Sequence, residues 1–236
     1  MVKACGVAIA VCLLVAVTCT AQDAAAISLA DSGMLTAADA AGDICTVELN
    51  CHGPDWTYAS QTEATATLEN IGDGERVLTG KLPVPETEGG SVTFTERLTD
   101  RDGGLDVAYE LGFSKAMTLH GLQVSVLLPA DRFAGTSLTI VAWDGGEWEI
   151  RLPLAPSDDD TWQLGEYLSS AVVLGDGSGR MDVDPTKTPD LALYDLRRWD
   201  RNEFEIRMPL IYDQDGKAVT DADKMSLALT LNATGQ

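Results

Sequence analysis

Only two histidines, His52 and His120, occur among 236 residues, and neither lies in a serine or cysteine nucleophile motif. That removes the usual signature of a hydrolytic triad. Carboxylates are the opposite case. Glu147 and Glu149, and again Glu203 and Glu205, lie two apart in strand-like runs that continue into Arg151 and Arg207. Two carboxylates can cleave a glycosidic bond, yet with 37 acidic residues any pair can be nominated. A charged sheet surface with cross-strand ion pairs is the simpler reading. Cys45, Cys51 and His52 imitate part of a zinc site but have no fourth ligand at recognised spacing, so no metal site is assigned. Calcium stays open: Asp213, Asp215, Asp221 and Asp223, or Asp176, Asp182 and Asp184, supply oxygens without completing a coordination pattern. No other cofactor is called for.

Binding without chemistry would rest on aromatic faces. Among Trp56, Trp143, Trp148, Trp162 and Trp199, the pair Trp143 and Trp199 are the candidate ligand-binding residues, because they occupy equivalent places in a repeat. Trp148 falls on an apolar face and reads as core. The alternative for Trp143 and Trp199 is packing over their own Asp-x-x-Glu turns.

The repeat carries the fold. Residues 143–154 recur 56 positions later as 199–210, with eight of twelve positions identical. Each copy reads as a strand end, a tight turn and a second strand. In the first, Trp148, Ile150, Leu152 and Leu154 share one face and Glu147, Glu149 and Arg151 the other. In the second, Phe204, Ile206, Met208 and Leu210 face inward and Glu203, Glu205 and Arg207 outward. One apolar and one charged face per strand predicts an antiparallel sheet packed on one side. The fold class is therefore all-β, an antiparallel β-sandwich with an internally repeated hairpin. Pro153 and Pro209 cannot donate to a ladder and belong at an edge or a bulge. Strand-like runs separated by glycine turns such as Gly72-Asp73-Gly74 fill residues 44–236, the expected domain. Residues 22–43 read as a poorly ordered lead-in with a helical turn near Ala37–Ala41. From Leu191 to Trp199 a helix competes with a strand, and alignment to the repeat favours the strand.

Residues 1–21 form a secretory leader: Lys3, then an apolar run, then Cys19, Thr20 and Ala21. Cleavage after Ala21, or near Ala26, competes with an uncleaved anchor and with acylation of Cys19. Export would place the protein in the periplasm, at the cell surface or outside the cell. Three cysteines lie in the leader, leaving Cys45 and Cys51. An even pair in an oxidising compartment favours one disulfide, but the intervening residues alternate like a strand. Six extended steps span roughly 20 Å, where a disulfide needs Cα atoms about 5.5 Å apart. A net charge of −21 argues against nucleic acid and against anionic membrane surfaces.

The segments Asp102–Leu111, Gly121–Pro129 and Arg132–Gly135 resemble a β-sandwich accessory region of secreted bacterial proteins, often beside glycoside hydrolase or polysaccharide-processing domains. The resemblance covers about residues 90–210, rests on strands and turns rather than catalytic signatures, and implies a carbohydrate link by association. The expectation from sequence is thus an exported, non-catalytic binding or accessory module with glycan as ligand. The alternatives are a structural or adhesive surface protein that pairs with cell-envelope proteins, and a polysaccharide-acting enzyme using a carboxylate pair.

Overall fold

A computed structural model describes residues 25–156, 162–175, 177–183 and 190–232. Sixteen strands run through the described residues. They begin with β1 (Ala26–Leu29), β2 (Leu35–Asp39), β3 (Gly42–His52), β4 (Tyr58–Ser60), β5 (Thr65–Gly72), β6 (Glu75–Pro83), β7 (Ser91–Arg101), β8 (Gly104–Phe113) and β9 (Met117–Pro129). After one helical turn, α1 (Ala130–Phe133), come β10 (Ser137–Ala142), β11 (Glu147–Arg151), β12 (Gln163–Leu174), β13 (Arg180–Val183), β14 (Asp190–Asp195), β15 (Glu203–Val219) and β16 (Met225–Asn232). Every pairing is antiparallel. No helix among the described residues is long and apolar enough to cross a membrane.

The strands form two layers joined through β12. One layer runs β1-β2-β3-β9-β15-β14, with β14 on the first half of β12; the other runs from the second half of β12 through β13-β16-β8-β7-β6-β5. Period-two alternation makes the core. Val47, Leu49 and Cys51 of β3, Leu122, Val124 and Val126 of β9, and Phe204, Ile206 and Met208 of β15 all point one way. They join Phe94 and Leu98 of β7, Val107 and Tyr109 of β8, and Leu227 and Leu229 of β16 in one buried cluster. Burying each such side chain contributes roughly 1.5–3 kcal/mol. The sandwich is the expected fold class.

Several sequence expectations are corrected here. Residues 25–43 are not a loose lead-in: β1 and β2 extend the sheet, and Leu35 and Ala37 are buried in the core. Cys45 and Cys51 are free, buried thiols on the single extended strand β3, which holds them apart and gives no disulfide. Burial pushes both thiols up to about 12. Trp148 is not core; it is 46% exposed on the outer hairpin β10–β11. The two repeat copies also part company. The first turns tightly between Ala142 and Gly146, with Gly145 at φ 88°. The second leaves β14 at Asp195 and makes a 3-10 turn, Leu196–Trp199, before Asp200 adopts a left-handed φ of 58°. Pro209 does fall at a bulge, where the β9–β15 register shifts.

Candidate functional site

The layer β3-β9-β15-β14 has a second face, and its polar residues are buried too. On β3, Glu48, Asn50 and His52 alternate with the core residues; on β9 the matching positions are Gly121, Gln123 and Ser125; on β15 they are Glu205 and Arg207. Register sets them in rows: His52 opposite Gly121 opposite Tyr212, Asn50 opposite Gln123, and Glu48 opposite Ser125 opposite Arg207. Glu205 follows, opposite Leu127 and Tyr194. A polar sheet face taken out of water needs partners for every group, and this one has them.

Glu205, expected on an exposed charged surface, is only 3% exposed. Arg207 grips it twice, Nε to Oε1 at 3.1 Å and Nη2 to Oε2 at 2.6 Å. The Ser125 hydroxyl donates to Oε1, while Asn50 Nδ2 donates to Ser125 Oγ at 3.0 Å. The carboxylate therefore leans toward the Ser125 row. Tyr58 Oη donates to Asn50 Oδ1 at 2.9 Å and receives Arg201 Nη1 at 3.1 Å. Arg201 also pairs with Glu203 at 2.8 Å and reaches Glu48 at 3.6 Å. Burial raises the Glu48 carboxyl, with Arg201 opposing.

His52 leans toward Gln123, whose Nε2 is 3.3 Å from His52 Nε2. Its Nδ1 lies 3.4 Å from the Trp56 carbonyl, an acceptor, so Nδ1 carries the hydrogen and Nε2 keeps its lone pair. Burial lowers the imidazole below its ordinary range, against the raising influence of the Trp56 carbonyl and of Glu205. Gly121 makes room for this ring: a Cβ there would stand 2.7 Å from His52 Cδ2. By register His52 sits on the Gly121 row and Glu205 on the Leu127 row, and their side chains reach inward along the floor to Gln123 and to Ser125.

Aromatic rings wall the cleft at both ends. Trp56 follows Pro54 in a 3-10 turn with Asp55 and Trp56 at φ 55° and 59°. Left-handed backbone at two consecutive non-glycine residues is strain held in place by the surroundings. The Trp56 ring packs against His52, His120 and Tyr212 at 5.3–5.4 Å. At the other end, Arg207 lies over Tyr194 at 4.2 Å, Tyr194 stacks on Trp162 at 5.3 Å, and Trp162 meets the edge of Trp199 at 5.2 Å. The cleft between them has a volume of about 540 Å³, within the range of small-molecule sites.

Of the two tryptophans singled out by sequence, Trp199 lines this cleft and Trp143 does not. Trp143, 66% exposed, borders a separate shallow depression with Trp148, Tyr167 and Leu168. Glu147 and Glu149 are exposed there as well. Among the described residues no cluster of three or more His, Cys, Asp or Glu side chains converges on a metal-sized site. Asp213 and Asp223 instead cap their own turns, at Asp215 N and at Thr220 N and Oγ1, and Asp182 pairs with Arg180. Asp176, Asp184 and the leader lie outside the described residues. Sequence reasoning missed Glu48, Tyr58, Gln123, Glu205 and Arg207 as a site. The available signal was Glu48-Leu49-Asn50-Cys51-His52, a strand polar at every second residue and apolar between.

No protein-family model matches the chain, and no curated protein matches it by sequence. Solved structures do resemble it. A galactose mutarotase-like protein from Lactobacillus casei is 12% identical with a TM-score of 0.54, covering 88% of this chain and 96% of that one. A galactose mutarotase related enzyme from Lactobacillus acidophilus is 9% identical with a TM-score of 0.52, covering 91% and 97%. The Slr1438 protein from Synechocystis sp. PCC 6803 is 10% identical with a TM-score of 0.52, covering 91% and 93%. The expectation of a non-catalytic module is overturned, because the sandwich proves to be one that a mutarotase-related enzyme carries along almost its whole length. The resemblance to accessory regions holds at the level of a β-sandwich, and the chain has the fold of the galactose mutarotase-like proteins.

Proposed function

We propose that the cleft binds a reducing sugar and interconverts its anomers by acid–base catalysis between Glu205 and His52. One observation carries the reading: a buried carboxylate and an imidazole line one aromatic-walled cleft, their side chains reaching inward to Ser125 and to Gln123. Anomer exchange needs a base at the anomeric hydroxyl and an acid at the ring oxygen, and it needs no nucleophile. The active state holds one proton between the two residues, on His52 as sugar binds. Glu205 takes the proton from the anomeric hydroxyl and the C1–O5 bond breaks. Its electron pair goes to O5, which receives the His52 proton, and C1 becomes a carbonyl. Rotation about C1–C2 and the reverse transfers close the other anomer and restore both residues. Ser125 and Arg207 aim the carboxylate, and such positioned acid–base groups contribute typically 10²–10⁴-fold each. Aromatic rings suit the apolar faces of a pyranose.

The reading includes export by the leader, which would put the site where envelope or external glycans are met, consistent with the strongly acidic composition. The test is polarimetry of freshly dissolved α-anomers of glucose, galactose and other aldohexoses. Equilibration faster than buffer, in proportion to protein concentration, supports the proposal. Equilibration at the buffer rate across the panel overturns it.

A further inference from the structure

A sheet edge presents unpaired backbone N–H and C=O groups, and folded proteins blunt it with short strands, charges or bulges. Among the described residues four strands have a single neighbour: β1, β4, β5 and β11. β1 and β4 are short, with four and three residues. β11 has five, of which Glu147, Glu149 and Arg151 are charged. β5 is different. Its eight residues, Thr65-Ala66-Thr67-Leu68-Glu69-Asn70-Ile71-Gly72, include one charge and no lysine, arginine or proline. Leu68 lies opposite the buried Leu78 of β6 yet is 46% exposed. The register shift between Asn70 and Gly72 puts the bulge at the hairpin tip and leaves residues 65–70 regular.

We infer that β5 is a docking edge for a second copy of this chain, pairing antiparallel with the partner's β5 about Leu68. The sequence around Leu68 is what selects a second copy. In that register Leu68 faces Leu68, Thr67 faces Glu69 and Ala66 faces Asn70 of the partner, so the leucines meet and no carboxylate meets another. A dyad at Glu69 would instead set two carboxylates side by side. The pairing continues the β8-β7-β6-β5 sheet across a two-fold axis, an isologous contact. It is a small one: eight strand residues fall short of the roughly 20–30 a side of a stable interface. Each chain also has a net charge of −21. The dimer therefore forms at high protein concentration and tightens with salt, which screens the repulsion. It stands whatever the cleft binds.

Sedimentation of the purified protein from about 1 μM to about 1 mM tests the edge. The weight-average mass should rise from one chain toward two, with the midpoint at lower protein concentration in about 1 M than in about 0.1 M salt. Leu68→Lys sets two ammonium groups face to face at a half-exposed position. It should stay at one chain throughout and keep the parent's unfolding midpoint. Leu68→Cys gives a second, milder reading: its introduced thiols lie directly opposite each other, and mild oxidation should cross-link the copies. Thr67→Cys sets the thiols a diagonal apart, about 7–8 Å, beyond disulfide reach, and should cross-link no more than the parent. A parent that stays at one chain up to the highest concentration overturns the proposal. So does a dimer that Leu68→Lys leaves intact, or one that Thr67→Cys captures and Leu68→Cys does not.

Discussion

Glu205 and Arg207, two residues apart on β15, clasp each other through two hydrogen bonds on a sheet face almost closed to water. Their repeat mates Glu149 and Arg151 sit on the exposed hairpin β10–β11. The same residues in the same spacing thus serve as surface charge in one copy and as the heart of a cleft in the other. The difference lies in what surrounds them. β15 lies inside its sheet between β9 and β14, with the Tyr194–Trp162–Trp199 stack beside its polar residues, whereas β11 pairs only with β10.

Removing the cation should expose the cost of the buried carboxylate. Arg207→Met leaves Glu205 without its charged partner, and breaking such a pair costs about 3–5 kcal/mol. The double variant Glu205→Gln, Arg207→Met should recover much of that loss. Urea unfolding of the four proteins as a mutant cycle measures it. Equal stability of Arg207→Met and the parent would show that the pair contributes nothing net.

Anomer exchange should already be falling on the acid side of neutral as pH rises. His52 has its proton affinity lowered by burial, so above neutral pH the pair holds no transferable proton. As pH falls through the depressed His52 value, the singly protonated state forms and the rate rises. A profile of kcat/KM whose alkaline limb falls below the ordinary histidine range is the expected result, and a rate that climbs steadily above pH 8 is the contrary one.

Glu96 gives a stability prediction away from the cleft. It is fully buried between the layers, accepts from Tyr109 Oη at 3.0 Å and from Gln61 Nε2 at 3.0 Å, and is raised by burial to about 7. A raised carboxyl binds its proton more tightly folded than unfolded. Its contribution is therefore full below the unfolded value and is lost as pH rises from about 4.5 through 7. Glu96→Gln keeps an amide that can bond both neighbours and never ionises. It should be the more stable protein at pH 8, by on the order of 2–3 kcal/mol, and the advantage should vanish near pH 4. Denaturant midpoints at both pH values read this directly; a Gln variant weaker than the parent at pH 8 would contradict it.

The fold was legible because alternation in β7, β8, β9, β15 and β16 is regular and glycine turns separate the strands. The site was less so. A strand buried on both faces by different chemistry looks, residue by residue, like one with a wet side. Nothing local distinguishes Glu205 from Glu149. What surrounds Glu205 is pairing across 80 positions with Ser125 and the Arg207–Tyr194–Trp162 stack beside it. β2 was missed because the short alanine-rich run Leu35–Asp39 owes its strand state to pairing with β3. The repeat misled about Trp148, since the first copy is an outer hairpin with one apolar side left open.

The central claim is that Glu205 moves the anomeric proton. The most direct measurement is proton exchange spectroscopy between the two anomers of a sugar shown to bind, run with the parent and with Glu205→Gln. Glu205→Gln is nearly isosteric, so sugar affinity should stay within a few-fold while the exchange rate falls by at least a hundredfold. An exchange rate in Glu205→Gln equal to that of the parent would contradict the account.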